Sequence, residues 1–433
     1  PFEKKDVLDK SINYLLEKKY IIYREITSTF SMTEASDFDV DLTLKSYLEN
    51  QDEPDSVTIN QFFEFRPVIG KRHYIETGNF RFMPIKLVKY SELEEYLSTN
   101  KFASDGEIII CLPFKNELLT RCKDNLNNFA KKTHLPIAFA LPNKSALIIN
   151  AIKKIIGLLS IQEREEVVKV DRIARKEVAT IIDQEKIHLD NLVNEIITNS
   201  EWFVSRYNKK NILRWEKFIA GETNLNTAVS DLFDDFYQDA PTIKNELTNK
   251  TKVSSNANQS IRIFLNRLLT HGKEAALGIE KTPPELTIYN SIVREHNLHK
   301  IMKDGSYDFI YPGKDSPFFA SMWRDAIALI SQSEDYINAE ELFELWRMPP
   351  YGIKRGLFPI ILMLFILTNK STLAVYHENI FITDFDDVMV QYLLKLPKDF
   401  SFTIVNFDSV NDTLQNYYSS LSKYSSDNIN PNI

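Results

Sequence analysis

Three cations, Arg347, Lys354 and Arg355, are the side chains in this sequence whose spacing is most suggestive of chemistry. They bracket the turn Pro349-Pro350-Tyr351-Gly352, just ahead of an apolar stretch. In a DNA-binding module the helix before the wing enters the major groove, and nearby cations hold phosphates. Nucleic acid is therefore one candidate ligand for Arg347, Lys354 and Arg355. The stretch that follows argues for packing instead, because residues such as Leu357, Phe358, Ile361 and Phe365 leave it little polar face with which to read bases.

Other constellations are weaker. Eleven glycines are present, but none forms the Gly-x4-Gly-Lys-Ser/Thr loop whose backbone N–H groups cradle phosphates. Gly352, Lys354 and Gly356 come in the wrong order for it. His296 and His299 are spaced to share one helix face, yet no cysteine or carboxylate completes a ligand set. The expectation is two solvent-facing or capping histidines, no metal site and no cofactor. Cys111 lies in an apolar strand, where thiols are usually inert. Cys122 sits between Arg121 and Lys123, and packing is again the preferred account. A metal-dependent nuclease would have to draw on Glu76, Glu107 and Lys115, residue types that any α/β unit brings together by chance. The stretch Thr270-His271-Gly272-Lys273, with Gly278, Pro283 and Pro284, is a second candidate, since long loops between helices often carry function, but a plain helix-breaking connection is the preferred account.

The elements that must position these residues follow from periodicity. At 433 residues the chain is too long for one core, and about two to four domains are expected. Residues 4–18 carry apolar side chains at helical spacing, and residues 20–32 read as a hairpin; together they suggest a winged-helix-like module over 1–56. Asp37, Asp39 and Asp41 then begin a helix, where its dipole favours them. Residues 57–160 read as a small α/β domain. Within it, 73–75 and 79–88 look extended, Ser91 and Glu94 suggest a capping box, and the apolar runs 107–112 and 136–142 give a parallel pair around a crossover helix. Residues 161–334 read as almost wholly helical. A second winged-helix-like module is expected over 335–418, with a hairpin around Glu378-Asn379, and residues 419–433 as a tail or linker. The fold class is thus mixed α+β, mainly helical, with winged-helix modules flanking a small α/β unit and a helical block.

A net charge of -8 argues against a generally DNA-coating protein, and an acidic, aromatic-rich surface more often meets proteins. Two cysteines in so long a chain fit a reducing, cytoplasmic compartment. The apolar run 357–367 is too short to span a bilayer and is expected as a buried helix. A start at Pro1 without a signal-peptide pattern suggests an excised segment.

Several segments together resemble a known family. Tyr23-Arg24 with residues 34–39 is similar to a helix–hairpin–acidic motif of very large bacterial P-loop ATPases. Residues 76–82 (Glu-Thr-Gly-Asn-Phe-Arg-Phe), Asn245-Glu246-Leu247, Leu265 to Leu269, Gly278-Ile279-Glu280, and Pro349-Pro350-Tyr351-Gly352-Ile353-Lys354 resemble successive later elements. The family is the ATPase component of BREX-type phage-exclusion systems and its relatives. The resemblance implies antiviral defence and a parent with an ATP-binding module upstream. None of that module's catalytic residues maps here. This points to a regulatory or scaffold segment whose partners are other proteins of such a system; a homo-oligomer is compatible with it. A DNA-binding module is the alternative, and a cryptic nuclease a third reading.

Overall fold

The structure, a computed structural model, describes residues 2–405 except 19, 25–28, 33–37, 100–103, 115–117, 134, 205–212 and 215–221. The expected tail, Lys115, and residues 34–37 of the acidic motif lie outside the described residues. The described part is a mixed, mainly helical α/β protein that divides into two compact units. One comprises residues 1–68 and 82–228, the other residues 69–81 and 229–433.

The chain opens with α1 (Phe2–Glu17), a hairpin of β1 (Ile21–Arg24) and β2 (Thr29–Met32), then α2 (Val40–Asn50) and α3 (Ser56–Gln61). The acidic start of α2 is as expected: the Asp39 carboxylate accepts from the Leu42 N–H, and Asp41 lies in the first turn. Next come β3 (Val68–Ile69), α4 (Lys71–Thr77) and β4 (Phe82–Met83). The expected strand at 73–75 is thus a helix. Gly78, left-handed at φ +74°, caps it through the Tyr74 carbonyl, a C-terminal stop that strand patterning does not reveal.

The first unit is organised by β5 (Ile85–Lys89), α5 (Leu93–Thr99), β6 (Glu107–Leu112), α6 (Leu119–Lys132), β7 (Ile137–Leu141) and α7 (Ser145–Arg164). Ser91 sits inside a 3-10 turn (Tyr90–Glu92), not at an N-cap. The parallel pairing of β6 with β7 around α6 is as expected, and β5 extends it on the other side. Every residue of β6 and β7 is buried, which is why both read as unbroken apolar runs. Cys111 and Cys122 lie in the apolar core between the sheet and α5–α6. The short helix α8 (Glu166–Val170) leads into α9 (Arg172–Asn199), which packs along α7. By length and apolar composition α7 passes the criterion for a bilayer span, but half of it is buried within the protein.

The expectation of an almost wholly helical 161–334 is corrected by β8 (Glu201–Val204) and β9 (Leu213–Arg214). These add antiparallel strands to give the order β5-β6-β7-β8-β9. A four-residue strand whose partner lies some sixty positions back has no local signature.

After α10 (Glu222–Phe236), the second unit holds α11 (Ser255–Thr270), α12 (Pro284–Ile288), which runs on into a π-helical turn (Tyr289–Arg294), and the hairpin β10 (His299–Ile301) and β11 (Tyr307–Phe309). Then come α13 (Pro317–Gln332), β12 (Ile337–Asn338), α14 (Ala339–Arg347), α15 (Phe358–Thr368), β13 (Leu373–His377), β14 (Ile380–Phe381), α16 (Asp387–Lys395) and β15 (Phe400–Ile404). Asn338 and Glu341 form a full capping box on α14. As its composition implied, α15 is buried on nearly every face. It packs against a stacked Trp323–Trp346 pair. The four-stranded sheet runs β12-β15-β13-β14. The expected hairpin turns on Glu378 and Asn379, both left-handed at φ 48° and 66°. The slot between β12 and β13, however, is filled by β15, which returns only after α16.

Candidate functional site: a buried arginine joining two motifs

The segment 70–81 folds into the second unit as a plug, and Arg81 is its centre. This arginine is 0% exposed. A buried guanidinium has five N–H donors and no acceptor, so it persists only where carbonyls, lone pairs and π-faces meet it. Its Nη2 donates to the Gly352 carbonyl at 3.0 Å, and its Cζ lies 3.8 Å from the Tyr237 ring centroid. Its Nε donates to His73 Nε2 at 3.3 Å.

That last contact settles the His73 tautomer. Arginine only donates, so Nε2 accepts and the ring proton sits on Nδ1, which donates to Asp234 Oδ1 at 2.7 Å. Asp234 in turn pairs with Arg72, which also reaches Asp231 at 2.9 Å. A line of polar contacts therefore runs from the half-exposed Arg72 through Asp234, His73 and Arg81 to the Gly352 carbonyl. His73 is 1% exposed with both nitrogens engaged, so this is a positioning relay; a substrate has no route to its lone pair.

Two of the segments that resembled one family, 76–82 and 349–354, meet here through Arg81 and Gly352, and residues around a third, 245–247, bond the same plug. Asn79 donates to the Pro241 carbonyl, and Asn249 donates to Asn79. Tyr74 donates to Glu246, and Asn245 to Ser291. The Pro349-Pro350-Tyr351-Gly352 turn, whose Pro-Pro bond is cis, is held at both ends. The Tyr351 hydroxyl donates to Asp325 at 2.6 Å, and burial, aided by that carboxylate, pushes its pKa up. Gly352 accepts Arg81 in a left-handed conformation at φ +64°. Sequence reasoning quoted Arg81 and Gly352 but gave neither a role, and it missed His73, Asp234 and Tyr237, whose partners lie some 160 to 270 positions away.

The three cations singled out for nucleic acid flank the same turn but are spent internally. Arg347 pairs with Glu344 one turn earlier, Nη2 to Oε2 at 2.6 Å. Arg355 donates to Glu340 and lies over the Phe343 ring at 4.6 Å. Lys354 is buried. The nuclease candidates fall in different units. Glu76 pairs loosely with Arg72 in the second unit, while Glu107 in the first is buried, accepts from the Tyr96 hydroxyl, and has its pKa raised by that burial.

His296 and His299 are corrected: both are buried, because the chain beyond them returns as β11 and α13 and covers their rings. His296 bonds the Thr242 carbonyl and meets Phe319 edge-on. His299 bonds the Gly272 carbonyl at 2.7 Å and the Tyr289 hydroxyl at 3.1 Å. The loop 270–278 is thereby anchored as well as helix-breaking, and Arg267 ties down the left-handed Leu277 and Gly278 through their carbonyls.

Desolvation lowers the pKa of both histidines from 6.5, so the folded state favours the neutral rings. A depressed histidine contributes stability above its unfolded pKa and loses it as pH falls through the folded value. The urea midpoint of the second unit should therefore fall on acidification below about pH 6.5. Replacing both residues with Gln should flatten that dependence in a pH series of urea titrations.

The first unit has a cavity of about 440 Å³ at the carboxyl ends of β5 and β6, lined by Tyr90, Ser91, Leu93, Arg121, Asn125 and Phe129 among others. Crevices of parallel sheets at this end are frequent ligand sites. Compared with protein-family models, with curated proteins and with solved structures, the chain gives no match.

Proposed function

We propose that the chain is a non-catalytic scaffold or regulatory segment of a large bacterial P-loop ATPase of anti-phage defence, working through contacts with other proteins of that system. The observation that carries the protein-contact reading is the helix–hairpin over residues 2–32. Tyr23 and Phe30 meet at a tilt with centroids 5.0 Å apart, yet remain 48% and 47% exposed; Val7, Leu8 and Tyr14 of α1 are more exposed still. Clustered exposed apolar and aromatic side chains mark interaction surfaces, and aromatic anchors dominate their energetics.

The link to the ATPases rests on the resembling segments, and the meeting of two of them, 76–82 and 349–354, at Arg81 and Gly352 supports treating these two as one structural unit. The order of elements in two pieces is what supports a winged-helix reading. The N-terminal piece pairs a helix with a hairpin. The C-terminal piece runs α13–β12–α14–α15–hairpin, with β15 in the strand slot beside β12. Arg347 pairs with Glu344 of its own helix and Arg355, in the turn after it, pairs with Glu340 of that helix, which favours protein partners over DNA.

The test uses the purified chain and the ATPase module of its parent. The chain alone should release no phosphate from Mg-ATP, and it should bind the module. The Leu8→Ser/Tyr23→Ser/Phe30→Ser variant, folded as judged by circular dichroism, should bind at least about tenfold more weakly. ATP turnover by the chain alone, or unchanged binding by the triple variant, would refute the reading.

A further inference from the structure

The tip of the β13–β14 hairpin gathers three metal-ligating side chains that no sequence spacing announces. A ring nitrogen of His377 and carboxylate oxygens of Glu378 and Asp399 all lie within 4.8 Å of one another. Register explains the gathering. His377 pairs with Phe400 across β13 and β15, which brings Asp399 beside Glu378, and the Glu378 N–H donates to the Asp399 carbonyl at 3.0 Å. Successive side chains of a strand point to opposite faces. The left-handed backbone at Glu378 breaks that alternation and lets neighbouring residues offer ligands to one point.

Two further observations point to a cation. In the half-buried His377 side chain the Nε2 atom is buried and has no hydrogen-bond partner among the described residues, while its ring is held by Tyr392 and Phe400 at centroid distances of 5.0 and 4.8 Å. A buried ring nitrogen left unsatisfied calls for a missing partner, such as an ion. Also, neither Glu378 nor Asp399 has an ion pair among the described residues, so two close carboxylates stand without a neutralising charge.

We propose that His377, Glu378 and Asp399 form a binding site for a divalent transition-metal ion of the zinc class, clamping the hairpin to β15. One imidazole and two carboxylates suit Zn²⁺, which accepts mixed nitrogen and oxygen ligands, better than Mg²⁺ or Ca²⁺, which prefer oxygen alone. Three protein ligands leave a fourth position for water or for a side chain of another protein.

The experiment is a Zn²⁺ titration of the chelator-stripped chain against a chromogenic competitor. Wild type should take up about one more Zn²⁺ per chain than the Glu378→Gln/Asp399→Asn variant, and each single variant should bind at least about tenfold more weakly. Zn²⁺ should raise the thermal midpoint of wild type and not that of the double variant, and Mg²⁺ should do neither. Glu378 is exposed, so Glu378→Gln alone decides the matter if Asp399→Asn proves unstable. His377→Gln, with the carboxylates intact, should also lose the site. Equal Zn²⁺ uptake by wild type and Glu378→Gln, or retention by His377→Gln, overturns the proposal.

Discussion

Replacing Gly352 with Ala should destabilise the second unit by about 2–5 kcal/mol, one of the largest effects of any single methyl group in the chain. Two penalties coincide. A non-glycine residue at φ +64° occupies the left-handed region, where the Cβ crowds its own backbone at a cost of about 1–2 kcal/mol. The added carbon would also stand 2.5 Å from Arg81 Nη2 and 2.5 Å from Tyr237 Cδ1, two groups pinned by their own contacts. Forced overpacking of that kind adds about 1–3 kcal/mol. Gly305 separates the two terms. Its φ is +85°, but nothing among the described residues lies within 4 Å of its would-be Cβ, so Gly305→Ala should show the conformational penalty alone. Urea denaturation followed by circular dichroism measures both. If Gly352→Ala is no worse than Gly305→Ala, the close approach of Arg81 to the turn does not hold in solution.

Removing Arg81 should have an effect of similar size from the opposite direction. Arg81→Ala takes away a fully buried side chain and leaves the Gly352 carbonyl and His73 Nε2 without these donors, while opening a cavity beside Tyr237. Each buried polar group stripped of its partner costs about 1–3 kcal/mol, and the cavity adds to this, so a loss of about 3–5 kcal/mol is expected. Arg81→Lys is the sharper variant. It keeps the charge but, as a point donor on a flexible stem, cannot serve His73, Gly352 and the Tyr237 face at once. It should recover only part of the loss. Hydrogen exchange should localise the change to α4 and the 349–352 turn. Full rescue by Lys would mean that charge alone matters there and that the planar fork does not.

How much of this was legible beforehand differs by element. The parallel strands β6 and β7 were plain because burial on both faces leaves a continuous apolar run, which no exposed segment tolerates. α15 was plain for the same reason. Residues 73–75, inside the helix over 71–77, read as extended because Tyr74 and Ile75 have strand-like propensity, and only the Gly78 cap and the packing of His73 against Phe233 decide otherwise. β8 and β9 were invisible, since their pairing is set by a neighbour distant in sequence. Spacing reads the histidines at 296 and 299 as solvent-facing or capping, because it says nothing of the later strand and helix that cover them.

The candidate site divides in the same way. The residues Glu76 to Arg81 and Pro349 to Lys354 stood out as short motifs, and a left-handed glycine after a cis Pro-Pro turn is chemistry that local sequence can specify. That they meet is a property of the fold alone. Hydrophobic periodicity is local, so the sequence by itself determined the composition class and the continuously apolar strands and helix at β6, β7 and α15. Guanidinium-to-carbonyl and imidazole-to-carboxylate bonds join residues far apart in the chain. Only the tertiary structure could decide that Arg81 and His73 are engaged within the protein, that Arg355 reaches Glu340 across the turn, and that His377, Glu378 and Asp399 converge.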